Sequence, residues 1–332
     1  MRRALIVGVN DYKFSPLFGC VEDAGEMERL LSRNDNGTEN FDCEVIVASS
    51  KDLDDLDDED TDLKPLRVTK SKLRKKIREK FRNDDDIDIA LFYFAGHGTF
   101  SDTDGYLVTQ DSEEGDEGFS MKELIDLANN ATKIREIVII LDCCYSGNAG
   151  NNILTNTSEL RKGVSILTSS RENQTSDETR NGGLFTKRVC IALDGGAADI
   201  IGNVNIASIY SFVHQLFGAN DQRPMFKANL SKLTSLRKCN PAIPIEVLLK
   251  IPEYFSKPNF EFPLDPSYEP DLKPKNEKNE RIFSHLQRYR AARLLEPIGE
   301  EHLFFAAKHS KSCVLTPLGK YYWELAKKGR LA

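Results

Sequence analysis

Four short, predominantly apolar runs constrain the fold more than any other feature of this sequence. They are Ala4–Val9, Ile87–Ala95, Ile137–Leu141 and Val164–Thr168. A run that is apolar at nearly every position predicts a strand buried on both faces, because a half-exposed strand would alternate with polar residues. Helical patterns alternate with these runs, at Val21–Leu31, Leu66–Phe81, Met121–Asn130, Leu184–Leu193 and Ile206–Phe217. The sequence therefore predicts an α/β fold, a mostly parallel sheet with helices on both faces.

A histidine and a cysteine each follow one of these predicted strands. His97 stands in the segment FYFAGHG, and Cys144 stands 47 residues later in LDCCYSG. In parallel α/β sheets, ligands bind beyond the carboxyl ends of the strands. An imidazole that takes up a thiol proton creates a thiolate able to attack a carbonyl group. The spacing also agrees with the rule that a caspase histidine precedes its cysteine by about 50 residues. These residues predict a cysteine peptidase.

Two adjacent cysteines compete for the role of nucleophile. A buried strand that ends in Cys143 would hold that thiol against the sheet as an inert core residue. Cys144 lies one residue further along, beside Tyr145, Ser146 and Gly147, where access is better. A structural metal site would need further ligands at suitable spacing, and a redox site would need a CxxC pair; the sequence offers neither near these residues. The pattern favours Cys144.

Composition bounds the organisation of the chain. Its 332 residues include 40% hydrophobic ones, enough for one large domain and a smaller one. The net charge is −7, yet the final 60 residues are basic, which suggests modules with different surfaces. We predict a catalytic domain at 1–235, a proline-rich connector at 236–275 that lies over it, and a C-terminal winged-helix-like regulatory module at 276–332. In the last module, Thr316 and Pro317 are expected to begin a helix.

The cysteines and the hydropathy pattern bear on location. The seven cysteines are irregularly spaced, as expected for reduced thiols in a cytoplasm. The apolar run at Ala4–Val9 is too short for the core of a signal peptide. No stretch approaches the roughly 20 apolar residues that a membrane helix needs. We therefore expect a cytoplasmic protein without a membrane partner.

Several segments together resemble the caspase–metacaspase clan, and most closely a prokaryotic, metacaspase-like member. The resemblance covers roughly residues 2–230. The segments that carry it are Ala4–Tyr12, Leu17–Ala24, Phe94–Gly98, Leu141–Gly147, Leu167–Ser170, Gln174–Glu178 and Gly183–Thr186. It implies a caspase-like fold and a cysteine endopeptidase that acts on protein or peptide substrates.

The resemblance also implies site roles. His97 would be the base and Cys144 the nucleophile, and the backbone N–H groups of Gly98 and Cys144 would form an oxyanion hole. Acidic residues at the positions of Asp23 and Asp142 bind an Arg or Lys side chain of the substrate in metacaspases. Each aspartate has an alternative structural role, at the start of a helix for Asp23 and in a hydrogen bond to the turn for Asp142. The family often has Ser where this chain has Ala95, which bears on fine specificity.

Further expectations concern cofactors, partners and control. Some metacaspases need calcium, and Asp84–Asp86 and the acidic run 52–62 are candidate ligands. Consecutive aspartates point in different directions, so we predict no metal site and no cofactor. The polar loop between Gly147 and Val164 is expected to be exposed, and self-cleavage or activation by another protease could occur there, where Arg161-Lys162 is the only basic pair. An activating protease or a signalling partner would then control the enzyme, in a prokaryotic stress or defence pathway. The alternative is a non-proteolytic scaffold whose basic tail binds a partner or nucleic acid; we expect its lysines to form a solvated face instead.

Overall fold

The structure is a computed structural model. It describes residues 1–49, 68–83, 87–100, 104–145, 159–169, 183–218 and 223–331, with Cys144 and Tyr145 described by their backbone only. The strands are β1 Arg2–Val9, β2 Asp42–Ala48, β3 Ile89–Phe100, β4 Gly105–Leu107, β5 Phe119–Ser120, β6 Glu136–Tyr145, β7 Val164–Thr168, β8 Asn203–Asn205, β9 Met225–Asn229, β10 Ser235–Lys238, β11 Phe262–Pro263, β12 Leu295–Ile298 and β13 Ser312–Leu315. The α-helices are α1 Cys20–Ser32, α2 Lys70–Lys80, α3 Met121–Asn130, α4 Leu184–Ile191, α5 Ile206–Gln215, α6 Ile245–Leu248, α7 Ile251–Tyr254, α8 Glu277–Ala291, α9 Leu303–Lys308 and α10 Pro317–Lys327. A π-helical turn at Ala192–Gly196 continues α4, and a 3₁₀ turn occupies Pro266–Tyr268.

The main sheet has the strand order β2-β1-β3-β6-β7-β9 in the described residues. Its pairs are parallel from β2 to β7, and β9 is antiparallel to β7. The short strands β4 and β5 extend the end of β3 in antiparallel pairs. The predicted α/β fold with a mostly parallel sheet is confirmed.

Two hydrophobic cores cover the two faces of this sheet. Successive residues of β6 alternate between them: Ile137, Ile139 and Leu141 belong to one core, and Val138 and Ile140 to the other. Helices α2 and α3 complete the first core, and α1, α4 and α5 complete the second. Because both faces of such a strand are buried, consecutive residues are apolar, which explains the apolar runs in the sequence.

The strands that carry the candidate catalytic residues are longer than the sequence pattern predicts. The apolar runs end at Ala95 and Leu141, whereas β3 continues to Phe100 and β6 to Tyr145. Backbone pairing holds these extensions in place, because β4 pairs with the end of β3. His97 and Cys144 therefore lie near the carboxyl ends of paired strands and not in loops beyond them.

A second unit comprises Asp199–Gly202 and Asn240–Ala332. Its three-stranded antiparallel sheet has the order β11-β13-β12 among the described residues, with helices packed around it. As predicted, Thr316 caps α10, accepting a hydrogen bond from the Gly319 N–H at 3.1 Å, and Pro317 begins the helix. The sequence pattern missed β12, which follows α8 after the chain turns at Arg293, where φ is 60°.

The prediction that residues 236–275 form a connector separate from the C-terminal module is wrong from Asn240 onward. From Asn240 onward this segment belongs to the second unit. Its buried residues Ile243, Phe255 and Leu264 share one hydrophobic core with Phe283 and Leu286 of α8. The helices α6 and α7 have only four residues each, too few to produce a helical period in the sequence.

The prediction of an exposed cleavage site at Arg161-Lys162 is wrong for Arg161. Its guanidinium donates to the carbonyls of Ala128, Ala131 and Ile134 at 3.0, 2.7 and 2.9 Å. Ala128 lies in the last turn of α3, where a helix leaves its carbonyl groups without intrahelical partners, and Ala131 and Ile134 lie in the segment that follows. Arg161 therefore closes a helix end and is not presented to a protease. The rest of the predicted loop, 146–158, lies outside the described residues.

Candidate active site

Asn10 shapes the segment between β1 and α1. Its side-chain oxygen accepts hydrogen bonds from the backbone N–H groups of Cys20 at 2.8 Å and Val21 at 3.3 Å, which caps the start of α1. Its backbone carbonyl accepts from the Leu17 N–H at 2.8 Å. Gly8 allows this close return, since a Cβ there would lie 2.3 Å from the Cys20 carbonyl oxygen. Residues 11–16 are thereby held as a short loop.

This loop surrounds the side chain of His97. The Tyr12 ring lies 4.6 Å from the imidazole, centroid to centroid, and the Phe14 ring lies 5.6 Å from it. The Ser15 carbonyl oxygen lies 2.7 Å from His97 Nε2. Tyr12 also fixes the backbone, because its hydroxyl accepts from the His97 N–H at 3.0 Å and donates to the Val108 carbonyl at 3.1 Å. Both the ring and the backbone of His97 are therefore positioned by one four-residue segment.

The contact with Ser15 determines the tautomer of His97. A backbone carbonyl oxygen can only accept a hydrogen bond, so the neutral ring carries its proton on Nε2. Nδ1 then retains the lone pair that a general base needs. Burial lowers the pKa of His97 below its usual value of 6.5, and the bond to Ser15 partly opposes this shift. The ring is therefore neutral and ready to accept a proton near neutral pH.

The strand register brings His97 and Cys144 to one level of the sheet. Ala95 is paired with Asp142, Gly96 with Cys143, and His97 with Cys144. Paired positions on neighbouring strands lie about 5 Å apart across the hydrogen-bonding direction. Cys143 is buried and belongs to the core that includes α2 and α3. The structure thus places Cys143 as the sequence suggests for an inert thiol.

Glycines flank His97 where the site is most crowded. A Cβ at position 96 would lie 2.4 Å from the Tyr12 hydroxyl, so only glycine permits this bond. Gly98 is paired with Leu107 of β4 on one side and with Tyr145 of β6 on the other. The role of the Gly98 and Cys144 N–H groups as an oxyanion hole remains a prediction.

Asp23 of α1 and Asp142 of β6 are buried, and their side chains contact the start of α4. Asp23 Oδ2 accepts from the Gly183 N–H at 2.7 Å. Asp142 Oδ2 accepts from the Thr186 hydroxyl at 2.7 Å and lies 3.3 Å from the Thr186 N–H. These N–H groups are among those that a helix N-terminus leaves without intrahelical partners, and the helix dipole favours negative charge there. The structure brings both predicted pocket residues to one helix end.

Tyr93 reaches the same helix end through Thr186. It is fully buried, and its hydroxyl lies 2.7 Å from Thr186 Oγ1. Burial is the main cause that raises the pKa of Tyr93, and the negative charges of Asp142 and Asp23 raise it further. The phenol therefore remains a neutral group that is hydrogen-bonded to Thr186. Tyr93, Thr186, Gly183 and the Ser15 carbonyl were not identified from the sequence as parts of the site.

Comparison with known proteins identifies the family of this chain. The family model described as "Caspase domain" matches residues 1–235. The chain belongs to the caspase-domain family. Among solved structures, protein GSU0716 from Geobacter sulfurreducens is 17% identical, with a TM-score of 0.50, covering 72% of this chain and 97% of its own.

Two caspase structures also match this caspase-domain chain. Caspase-1 from Spodoptera frugiperda is 15% identical, with a TM-score of 0.48, covering 71% of this chain and 90% of its own. The structure titled pro-sf-caspase-1 is 14% identical, with a TM-score of 0.49, covering 70% and 93%. No curated protein matches the chain.

The described residues contain neither a membrane-spanning helix nor a cluster of metal-ligating side chains. None of the helices in the described parts of this caspase-domain protein is long and apolar enough to cross a membrane. No group of three or more His, Cys, Asp or Glu side chains that could hold a metal ion occurs within those same ranges. The acidic segments considered for calcium, Asp84–Asp86 and 52–62, lie outside the described residues.

Proposed function

We propose that this caspase-domain protein is a cysteine endopeptidase that cleaves proteins after Arg or Lys, with His97 as base and Cys144 as nucleophile. One observation carries the proposal. His97 is paired with Cys144 across neighbouring strands, and its Nε2–H is bound to the Ser15 carbonyl, which leaves Nδ1 as the basic atom. A base held in one orientation by a third group is typical of an activated nucleophile. Family membership supports the same chemistry.

The proposed reaction uses these groups in sequence. His97 Nδ1 takes the thiol proton of Cys144, and the thiolate attacks the carbonyl carbon before the scissile bond. The backbone N–H groups of Gly98 and Cys144 stabilise the negative charge on the carbonyl oxygen. The protonated imidazole then donates its proton to the leaving amine, and the C–N bond breaks. Water, deprotonated by His97, hydrolyses the acyl-enzyme and restores the thiol.

The preference for Arg or Lys rests on Asp23 and Asp142. Both are buried beside Tyr93, so a cationic side chain that reached them would meet negative charge in a weakly screened environment. An acidic substrate side chain would be repelled there. Their hydrogen bonds to α4 do not exclude this role, because carboxylates accept several hydrogen bonds at once.

Peptides of matched sequence test the proposal. Purified protein is offered internally quenched peptides that differ only in having Arg, Lys, Asp or Ala before the scissile bond, with and without calcium. We expect cleavage after Arg and Lys, and none by Cys144→Ala. A preference for Asp would contradict the proposed pocket. Absence of cleavage under all conditions would contradict the peptidase and favour the non-proteolytic scaffold.

The proposal includes regulation by the second unit in a cytoplasmic signalling setting. Trp323 is the sole tryptophan of the chain, and its Nε1–H donates to the Phe255 carbonyl at 2.6 Å within that unit. Its fluorescence therefore reports the second unit alone. Phe283→Ala removes a buried side chain from that unit's core, at a cost of about 3–5 kcal/mol. If the second unit regulates catalysis, the peptidase activity of Phe283→Ala, or its response to calcium, should change under conditions where Trp323 fluorescence shows that this unit has unfolded. Unchanged activity would contradict regulation.

A further inference from the structure

Phe14 is an exposed aromatic residue in contact with the proposed base. Its side chain is 63% exposed, although its ring centroid lies 5.6 Å from both His97 and Tyr12. Lys13, Ser15 and Pro16 around it are also exposed, so Phe14 stands at the surface and not in a closed core. An exposed apolar side chain beside reactive groups provides a surface that a substrate can cover, and burying this apolar surface favours binding.

The strand order shows on which side of the scissile bond this surface lies. The strands run β1, β3, β6 across the sheet, so β3 separates β1 from β6. Phe14 belongs to the loop that follows β1, His97 lies on β3, and Cys144 lies on β6. His97 therefore stands between the Phe14 segment and the nucleophile.

The proposed reaction then determines the direction in which the substrate chain lies across the site. The carbonyl carbon under attack must lie at the cysteine, and the leaving amine must face the imidazole that protonates it. The residue that follows the scissile bond begins at that amine. It therefore extends from His97 toward the Phe14 side.

We propose that Phe14 forms an apolar subsite for the substrate residue that directly follows the scissile bond. This inference rests on the proposed peptidase function and refines its substrate class. Preferred sites would carry Arg or Lys followed by a large apolar residue such as Leu or Phe. The bound side chain would cover the exposed ring and exclude water from the adjacent imidazole.

A peptide series that varies only the residue after the scissile bond tests this proposal. The residue before the bond is the one that gives the fastest cleavage, and the following residue is Gly, Ser, Asp, Leu or Phe. We expect wild-type kcat/KM to favour Leu and Phe over Gly by about tenfold, the scale of discrimination by a small apolar contact. The measured quantity is the ratio of kcat/KM between Phe and Gly peptides, because this ratio cancels effects on the chemistry of His97.

Three variants complete the test. Phe14→Ala should reduce the Phe/Gly ratio to near one, whereas Phe14→Leu should keep most of it. Phe305→Ala removes another exposed phenylalanine, 40% exposed on α9, and should leave the ratio unchanged. A wild-type ratio near one, or a ratio that survives Phe14→Ala, would overturn the subsite while leaving the peptidase intact. Failure to cleave any peptide would refute the peptidase and the subsite together.

Discussion

The two halves of the candidate active site are held by different parts of the fold. His97 is positioned by Tyr12, Phe14 and Ser15, which form a single short segment after the neighbouring strand. Asp23 is instead tied to Gly183, 160 residues away along the chain. The base thus depends on one loop and the strand register, whereas the acidic cluster exists only when the start of α4 docks on α1 and β6.

The electrostatic environments differ as well. Burial favours the neutral form of His97 and lowers its pKa. Asp23 and Asp142 are more deeply buried than His97 but lie at a helix N-terminus, where backbone N–H groups stabilise negative charge. In the proposed enzyme, one half of the site would supply the base, and the other would supply carboxylates for a cationic substrate side chain. This division allows the chemistry and the specificity to be perturbed separately.

The largest expected effect distinguishes the two adjacent cysteines. Cys144→Ala should lower kcat by about 10⁴-fold or more, as loss of a nucleophile does in other peptidases. Cys143→Ala removes only a buried core thiol and should cost about 1 kcal/mol of stability with most activity retained. Peptide cleavage and thermal unfolding of both variants provide the measurement. Full activity of Cys144→Ala would refute the assignment of the nucleophile.

The next effect should appear in specificity alone. Asp142→Asn keeps an acceptor for the Thr186 hydroxyl but removes the negative charge. We expect kcat/KM for an Arg peptide to fall. The fall should correspond to a loss of about 2–5 kcal/mol of transition-state stabilisation, the scale for removing one partner of a buried charge pair. A matched peptide with citrulline, the neutral isostere of Arg, should be affected far less.

A control variant separates charge in the pocket from charge in general. Asp126→Asn alters an exposed aspartate that pairs with Lys122 on α3. It should leave the Arg/citrulline ratio of kcat/KM unchanged. If Asp142→Asn also leaves this ratio unchanged while the protein remains folded, Asp142 serves only to hold α4.

This contrast also explains what the sequence could predict. The apolar runs predicted the strands, and the His97 and Cys144 segments predicted which strand ends meet, because parallel strands align their carboxyl ends. The Ser15 carbonyl could not be identified, since every residue carries a carbonyl group and its direction depends on the loop. The contacts of Asp23 with Gly183, and of Arg161 with the end of α3, arise only from tertiary packing. The same holds for α6 and α7, whose core partners lie in α8.

A smaller effect is expected when the base is held less firmly. Tyr12→Phe preserves the ring contact with His97 but removes the hydrogen bonds to the His97 N–H and the Val108 carbonyl. Each such bond contributes about 1 kcal/mol, so we expect kcat to fall by up to about tenfold with little change in KM. Tyr210→Phe, on α5, serves as the matched control and should change neither constant. Loss of stability with unchanged kcat would show that Tyr12 has only a structural role.

The smallest effect concerns the proton affinity of His97 itself. In a Cys144→Ala background, where no thiolate couples to the ring, NMR titration should give His97 a pKa below 6.5 because burial disfavours the imidazolium form. Adding Phe14→Ala exposes one side of the ring to water and should raise this pKa toward 6.5. The acid limb of activity for the Phe14→Ala enzyme should then move to higher pH, since a base with a higher pKa is protonated sooner as the pH falls. If Phe14→Ala lowers the pKa or leaves it unchanged, water exclusion by Phe14 does not tune the base, and the ring would be sheltered mainly by Tyr12.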